Sequence, residues 1–436
     1  MTERQGTVTQ FGTARTGAAH DIPAHQGIRF ETLDSWRGIC AILVAMMHFP
    51  ASGMPAENAF VRSAYLFVDY FFVLSGFVIA HGYGQKLTDG ASYTRFLVLR
   101  IGRIYPLHLA VLLLFVGFEL LRLAVPALRG DGAAPFTEGN SIGALVSNVF
   151  LLNGMGVNDR LTWNGPSWSI SAEMWTYVLF GAALLLLRRR LWIALVAAVL
   201  ICPVILYLYA PRHMDATYDF GFIRCVYGFS LGVLLYHLSK RGFAPGAARD
   251  ARSLMVWTVV ELAAVIAVVA FVSTTAHSAL SFAAPLLFTM VLGVFIRERG
   301  LVSAVLRMRL FVWLGSLSYG IYMLHIFVQS RMINAGTVLG KVTGLELVGP
   351  FEINGEAFHG FGLQGPWVGT LSMLVMLMAV IASAWIGYRL IEVPFQRLSR
   401  RLVSAKPPRE RSRAEERFAR IAGNAPGAAP PIGGLR

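Results

Sequence analysis

The chain has 436 residues, 56% of them hydrophobic and only 14% charged, with a mean hydropathy of +0.58. A soluble domain carries about 25% charged residues, so an ordinary soluble fold is excluded. A net charge of +14 would suit nucleic acid in a soluble chain, but here Lys and Arg fill short gaps between apolar runs and no basic, aromatic single-strand platform is present, so no nucleic-acid partner is expected.

The apolar runs are continuous rather than alternating over about ten residues, which excludes a transmembrane β-barrel. The expected fold is therefore an all-α polytopic membrane protein. Residues 1–28 read as a disordered tail without an apolar core of the signal-peptide kind, and residues 29–398 as the membrane domain. Spans are expected at about 38–54, 62–82, 104–125, 171–187, 191–209, 218–238, 254–273, 278–297, 311–333 and 366–391, a bundle of about ten helices. Residues 399–436, rich in Arg, Pro, Ala and Gly, read as a basic flexible tail. Cys40, Cys202 and Cys225 all fall in apolar segments, with no disulfide or metal spacing.

Basic gaps hold Lys86, Arg95, Arg100 and Arg103; Arg188 to Arg190; Lys240, Arg241, Arg249 and Arg252; and Arg297, Arg299, Arg307 and Arg309. They alternate with gaps poor in Lys and Arg, and all share one side if both termini are cytoplasmic. The segment Ser141 to Leu152 is too short to cross. It is expected as a re-entrant or interfacial helix in a long external loop, about 126–170. Loops of that length on a compact scaffold are often functional.

Several polar residues interrupt the apolar background. Arg37 and His48 lie on the first span, about 16 Å apart along a helix, which puts His48 near mid-membrane. An intramembrane ionisable group is a functional candidate, against the plainer reading of a His bonded to a neighbouring helix. Asp69 precedes Ser75-Gly76 on the second span; Asp69 suits an ion pair or a helix cap as well as chemistry, and Ser75-Gly76 suits close helix packing. Arg100 and Arg103 share a helix face, where they either follow the positive-inside bias or bind phosphate. The segment Trp168-Ser169-Ile-Ser171-Ala-Glu173 enters the next span, with Ser169 or Ser171 as a cap and Glu173 on the helix dipole, or with Trp, Ser and Glu set to bind a sugar at an external mouth. Tyr319, Tyr322 and His325 recur every three residues on one face, His325 reading as a satisfied buried His. Arg224 and Glu261 are further intramembrane charges that could pair.

Six segments in this order resemble the integral-membrane acyltransferase family 3, whose members include bacterial O-antigen, exopolysaccharide and Nod-factor acetylases. They are Arg37 with His48, Val68 to Phe77, Arg100-Ile-Gly-Arg103-Ile-Tyr-Pro106, Trp168 to Glu173, Leu314 to His325, and Ile391-Glu392-Val-Pro394-Phe. Tyr70 stands where a Leu-like residue is expected. The resemblance implies a multi-pass protein of the bacterial cytoplasmic (inner) membrane. It implies transfer of an acyl group, most simply acetyl, from cytoplasmic acyl-CoA, with no bound cofactor or metal, to a hydroxyl of a glycan or lipid-linked saccharide. His48 and Glu173 would then be catalytic, and Arg37, Arg100 and Arg103 donor-binding. Asp69, Ser75, Trp168, Ser169 and His325 would bind the acceptor or support the site. Succinyl or longer-acyl transfer and a non-enzymatic transporter of lipid-linked sugars are the alternatives; a transporter often shows paired broken helices in two halves, and no internal symmetry is present here.

Overall fold

The computed structural model describes residues 30–128, 133–239, 250–353 and 355–404. Helix α1 (Glu31–His48) ends just before Pro50, with Phe49 extended (φ −88°, ψ 115°) as a residue preceding proline prefers. Two single-turn helices, α2 (Met54–Glu57) and α3 (Ala59–Arg62), lead into α4 (Phe67–Tyr83). A capping box opens α5 (Gly90–Ala124): Ser92 N donates to Asp89 Oδ1 at 2.8 Å and Asp89 N donates to Ser92 Oγ at 3.1 Å. Ser141 caps α6 (Ile142–Val149). The turn Arg188–Arg190, with Arg188 at φ 46°, separates α7 (Trp168–Leu187) from α8 (Leu191–Tyr209).

After α9 (Gly221–Ser239), Asp250 caps α10 (Ala251–Thr275). Then come α11 (Ala284–Phe295), α12 (Leu301–Leu306) and α13 (Arg309–Thr343), which closes on the left-handed Gly344 (φ 75°). An antiparallel hairpin, β1 (Gly349–Ile353) and β2 (Glu356–Gly360), follows, with Gly349 opposite Gly360. The chain ends in α14 (Pro366–Gly387), a π turn at Tyr388–Glu392 and α15 (Val393–Ser404).

Seven helical stretches among the described residues are long and apolar enough to cross a bilayer. One of them, Gly165–Tyr209, contains both α7 and α8. Gly156 N donates to Tyr218 O at 2.8 Å, so the segments flanking its two ends meet and the chain has doubled back. The protein is an all-α polytopic membrane protein with one small hairpin. Each of the ten expected apolar segments falls on a helix, but two boundaries change the site. The first helix runs over residues 31–48 rather than 38–54, so His48 ends it instead of lying within it. The third begins at Gly90, so Arg95, Arg100 and Arg103 ride on the helix rather than in a loop.

Two pairs of glycines set the core geometry. Gly38 and Gly315 bring α1 against α13: a Cβ on Gly315 would lie 2.2 Å from Asp34 O, and one on Gly38 2.7 Å from Gly315 N. Gly76 and Gly232 do the same for α4 and α9, where added Cβ atoms would lie 2.0 Å from Phe229 O and 1.9 Å from Val73 O. With lipid as solvent, such close backbone packing replaces the hydrophobic effect as the force between helices.

Two further expectations need correction, and one element is unanticipated. Arg224 and Glu261 do not pair. Glu261 accepts from Gly300 N (2.8 Å) and Ser303 N (2.9 Å), holding the amino end of α12 where unsatisfied N–H groups favour a carboxylate. The flexible tail expected from residue 399 does not begin there, because α15 runs to Ser404. Its amphipathic pattern buries Ser399 beside Gly102 and lets Arg95 donate to Val403 O. The hairpin was not anticipated; its strands are short and lack a clean alternation. The expected tails over residues 1–28 and 405–436, and the charges at Lys240, Arg241 and Arg249, lie outside the described residues.

Candidate active site

Six sequence candidates, Arg37, Ser75, Arg100, Arg103, Ser169 and Glu173, converge on one cavity of about 830 Å³, counting its open mouth. Five helices build its walls: α1 contributes Arg37, α4 the face from Val68 to Ile79, α5 the two arginines and Ile104, and α7 and α13 the rest. Along α4, Val68 and Ile79 stand about 16 Å apart at a helical rise of 1.5 Å per residue, which gives the cavity its depth. The outer end is basic. Arg37 pairs loosely with Asp34 (3.5 Å), and Arg100 Nη2 donates to Tyr83 OH at 3.1 Å with its guanidinium over the Tyr83 ring. The inner end is apolar, with Val68, Phe71, Phe72 and Ile170. Arg100 Nε and Ser318 Oγ are buried without a hydrogen-bond partner among the described residues. Since buried polar groups are normally satisfied, these two are suited to a polar ligand.

Glu173 lies in the second turn of α7, facing this arginine cavity rather than an external mouth, and its Oε1 accepts from Tyr177 OH at 2.6 Å. The same phenol bridges to Ser75 Oγ at 2.7 Å. Neither Ser169 nor Ser171 caps α7. Ser171 Oγ instead bonds Leu151 O (2.5 Å) and accepts from Gly154 N, fixing the preceding loop. That loop dips into the bundle: Tyr105 OH donates to Val149 O (3.0 Å), and Asn164 Nδ2 donates to Met323 O (2.9 Å). The entry to α7 thus starts deep among the helices.

A second, larger cavity of about 1730 Å³, counting its open mouth, lies at the other end of α4 and forms a vestibule. His48 is exposed to it, and Arg62, Tyr65, Trp168, Arg212 and His277 are among the other lining residues. The hairpin reaches its rim, where Arg62 bonds Glu356 at 2.8 Å and sits over the Phe358 ring. Burial raises the Asp215 carboxyl from its ordinary value, with Arg224 and Arg212 pulling the other way.

His48 has a partner that spacing did not reveal. His325 Nε2 lies 3.3 Å from His48 Nδ1, the ring centroids 5.0 Å apart. His48 Nδ1 also meets Val44 O at 2.9 Å. A carbonyl only accepts, so Nδ1 carries the proton and Nε2 keeps its lone pair. The contact of His325 Nδ1 with Ile321 O (3.3 Å) selects the same tautomer there, so His325 Nε2 offers its own lone pair to the His48 Nδ1–H. His325 is fully buried and orients His48; it does not face either cavity. The arrangement leaves one basic imidazole nitrogen able to take a proton from a hydroxyl in the vestibule.

Asp69 is structural. Its carboxylate receives Arg224 Nε at 2.9 Å and Nη2 at 2.8 Å, both residues almost wholly buried. Arg224 also donates to Ala216 O and Tyr65 O, so the pair ties α4 to α9 and to the vestibule loop. Trp168, 5% exposed, packs under the Arg224 guanidinium and against Phe72 and offers the vestibule little of its ring. The residues that sequence reasoning assigned no role are Tyr177, Arg224 and, apart from His48 and Trp168, the vestibule lining, contributed by distant segments; Arg224 was signalled only as a charge in an apolar run.

Fold and site together define a polytopic membrane helix bundle that holds a basic cavity and a histidine-bearing vestibule back to back. The chain belongs to the acyltransferase domain family, whose model matches residues 30–389. It is similar to "Protein 2 in picA locus" of Rhizobium radiobacter, 34% identical over 184 residues, covering 39% of this chain and 93% of that protein. It is also similar to "Acyltransferase MdmB" of Streptomyces mycarofaciens, 32% identical over 191 residues, covering 40% of this chain and 46% of that protein. No solved structure matches the chain.

Proposed function

We propose that this acyltransferase moves an acyl group, most simply acetyl, from cytoplasmic acyl-CoA to a hydroxyl of a glycan or lipid-linked saccharide in a bacterial inner membrane. The observation that carries the reading is the convergence of Arg37, Arg100 and Arg103 on one mouth, with His48 beyond its apolar inner end. Guanidinium groups suit the phosphates of the donor, and the apolar inner end suits its acyl thioester. The positive-inside rule puts this basic end, with Arg188 to Arg190, in the cytoplasm and the vestibule on the opposite face; both termini are then cytoplasmic.

In the reaction, the acceptor hydroxyl gives its proton to His48 Nε2 as its oxygen bonds to the thioester carbonyl carbon. The C–S bond then breaks, the acyl ester remains on the acceptor, and the CoA sulfur takes the proton from His48. His325 and Val44 O hold the Nδ1–H throughout, so the imidazolium forms without rotation of the ring.

The test is the purified protein in liposomes with radiolabelled acetyl-CoA inside and outside in separate trials, and mass spectrometry of surface glycans and lipids from cells with and without the gene. An acyl-sized mass difference and CoA release in the liposomes are expected. An unchanged glycan and lipid profile, with no CoA release from any acyl-CoA, overturns the reading.

A further inference from the structure

The two cavities lie end to end and share two lining residues, Val68 of α4 and Tyr322 of α13. Donor cations line one and His48 the other, so a group passing between them must pass these side chains. Tyr322 is held across the gap by three contacts: its hydroxyl meets Ser169 Oγ at 2.8 Å and donates to Pro166 O at 3.1 Å, while Phe71 packs edge-on against its ring at 5.9 Å. Ser169 also reaches Pro166 O at 3.0 Å. The hydroxyls of Tyr322 and Ser169 therefore close on one carbonyl and on each other, so their two protons stay within this cluster and neither is offered to a ligand.

Resting on the acyl-CoA reading, we propose that Tyr322 is the gate between the donor cavity and the vestibule. Its ring excludes vestibule water from the thioester until the acceptor is in place, and its size limits which acyl chains pass. The latch is accessible from the acceptor side, because Gly165 and Pro166 line the vestibule. An acceptor seated against that turn can shift Pro166 and release the Tyr322 hydroxyl. The adjacent bond from Asn164 Nδ2 to Met323 O, 2.9 Å, ties the same turn to the residue after Tyr322, so turn and gate move together.

With the gate open and no acceptor present, water replaces the hydroxyl: its oxygen bonds to the carbonyl carbon, the C–S bond breaks, and a free carboxylic acid and CoA thiol result. Release of CoA thiol from acetyl-, butyryl- and hexanoyl-CoA, without and with acceptor extract, is measured on the full-length protein in liposomes. Tyr322→Ala is expected to raise acceptor-independent release by roughly tenfold or more and to admit the longer acyl groups. Tyr322→Phe, which keeps the ring and loses the latch, raises release less and leaves the chain-length preference in place. Val68→Trp fills the same passage and lowers transfer by roughly tenfold while CoA itself still binds. Wild-type release and wild-type chain-length preference in a folded Tyr322→Ala protein overturn the gate. If that protein cannot be recovered, normal transfer by Val68→Trp overturns it. Failure of the underlying reading shows separately, as absence of acyl-CoA turnover in the wild-type protein.

Discussion

His325 Nε2 stands 3.3 Å from His48 Nδ1, and the backbone explains why the two rings meet. Gly38 touches Gly315, and each histidine lies ten residues further along its own helix. Helices α1 and α13 run parallel from this contact, so equal offsets land at equal heights. The arrangement also puts the pair at the midpoint of α13, a 35-residue helix about 50 Å long at 1.5 Å per residue.

Replacing His48 by Ala is expected to reduce acyl transfer by about 10²–10⁴-fold, the usual range for a lost general base. Donor binding should persist, since the arginines lie in the other cavity. Transfer rates normalised to protein amount in the membrane, together with CoA binding, test this; near-normal transfer would remove His48 from the reaction.

His325 acts through His48 and is a positioning residue. His325→Ala should lower kcat by roughly tenfold with the KM for acyl-CoA unchanged, and His325→Gln, whose amide oxygen can accept the His48 Nδ1–H, should recover part of the loss. Equal defects in both variants, or a raised donor KM, would argue for a packing role instead.

The three arginines separate by ligand. Arg37→Ala, Arg100→Ala and Arg103→Ala are each expected to weaken acyl-CoA binding by roughly 10- to 100-fold, consistent with about 1.5–3 kcal/mol for a charge-assisted hydrogen bond, and to leave acceptor KM in place. Lysine at these positions should restore little, because it lacks the planar fork. Calorimetry with CoA and kinetics with varied acceptor provide the comparison.

Glu173 faces the arginines, so Glu173→Gln removes a negative charge from the donor cavity. Tighter CoA binding with unchanged acceptor KM is the expected result. A raised acceptor KM with unaltered CoA affinity would return Glu173 to the acceptor side.

Breaking the Asp69–Arg224 pair leaves one uncompensated buried charge. Asp69→Ala or Arg224→Met should destabilise the protein by about 3–5 kcal/mol, and the double variant by less than either alone. Thermal unfolding in detergent measures the three. Additive losses would show that the ion pair is not the reason for the defect.

Much of the class was readable from the chain alone. Low charge, long apolar runs and basic gaps follow from the bilayer as a solvent, which demands about twenty apolar residues per crossing and satisfied backbone groups. The grouping of the arginines at one mouth was also legible, and His48 stood out as a candidate, since charge in an apolar run is costly and therefore informative. Helix limits were less so: Pro50 stopped α1 at His48, while the Asp89 capping box carried α5 fourteen residues further back than hydropathy indicated.

What only the tertiary structure decided is which distant residues share a space. Periodicity orders side chains around one helix but is silent on its neighbours. Asp69 met Arg224, 155 residues away, rather than a substrate, and Glu261 met the amino end of α12. Glu173 turned to the arginines because the loop before α7 dips into the bundle. His325 became the partner of His48 because two glycines, each unremarkable in sequence, let α1 and α13 touch in parallel. Composition and spacing therefore determined a polytopic helical membrane body with a histidine and a basic cluster in apolar surroundings, and the resemblance of six ordered segments supplied the acyltransferase family. Close backbone packing, a property of pairs of helices rather than of any one of them, decided how that histidine is held.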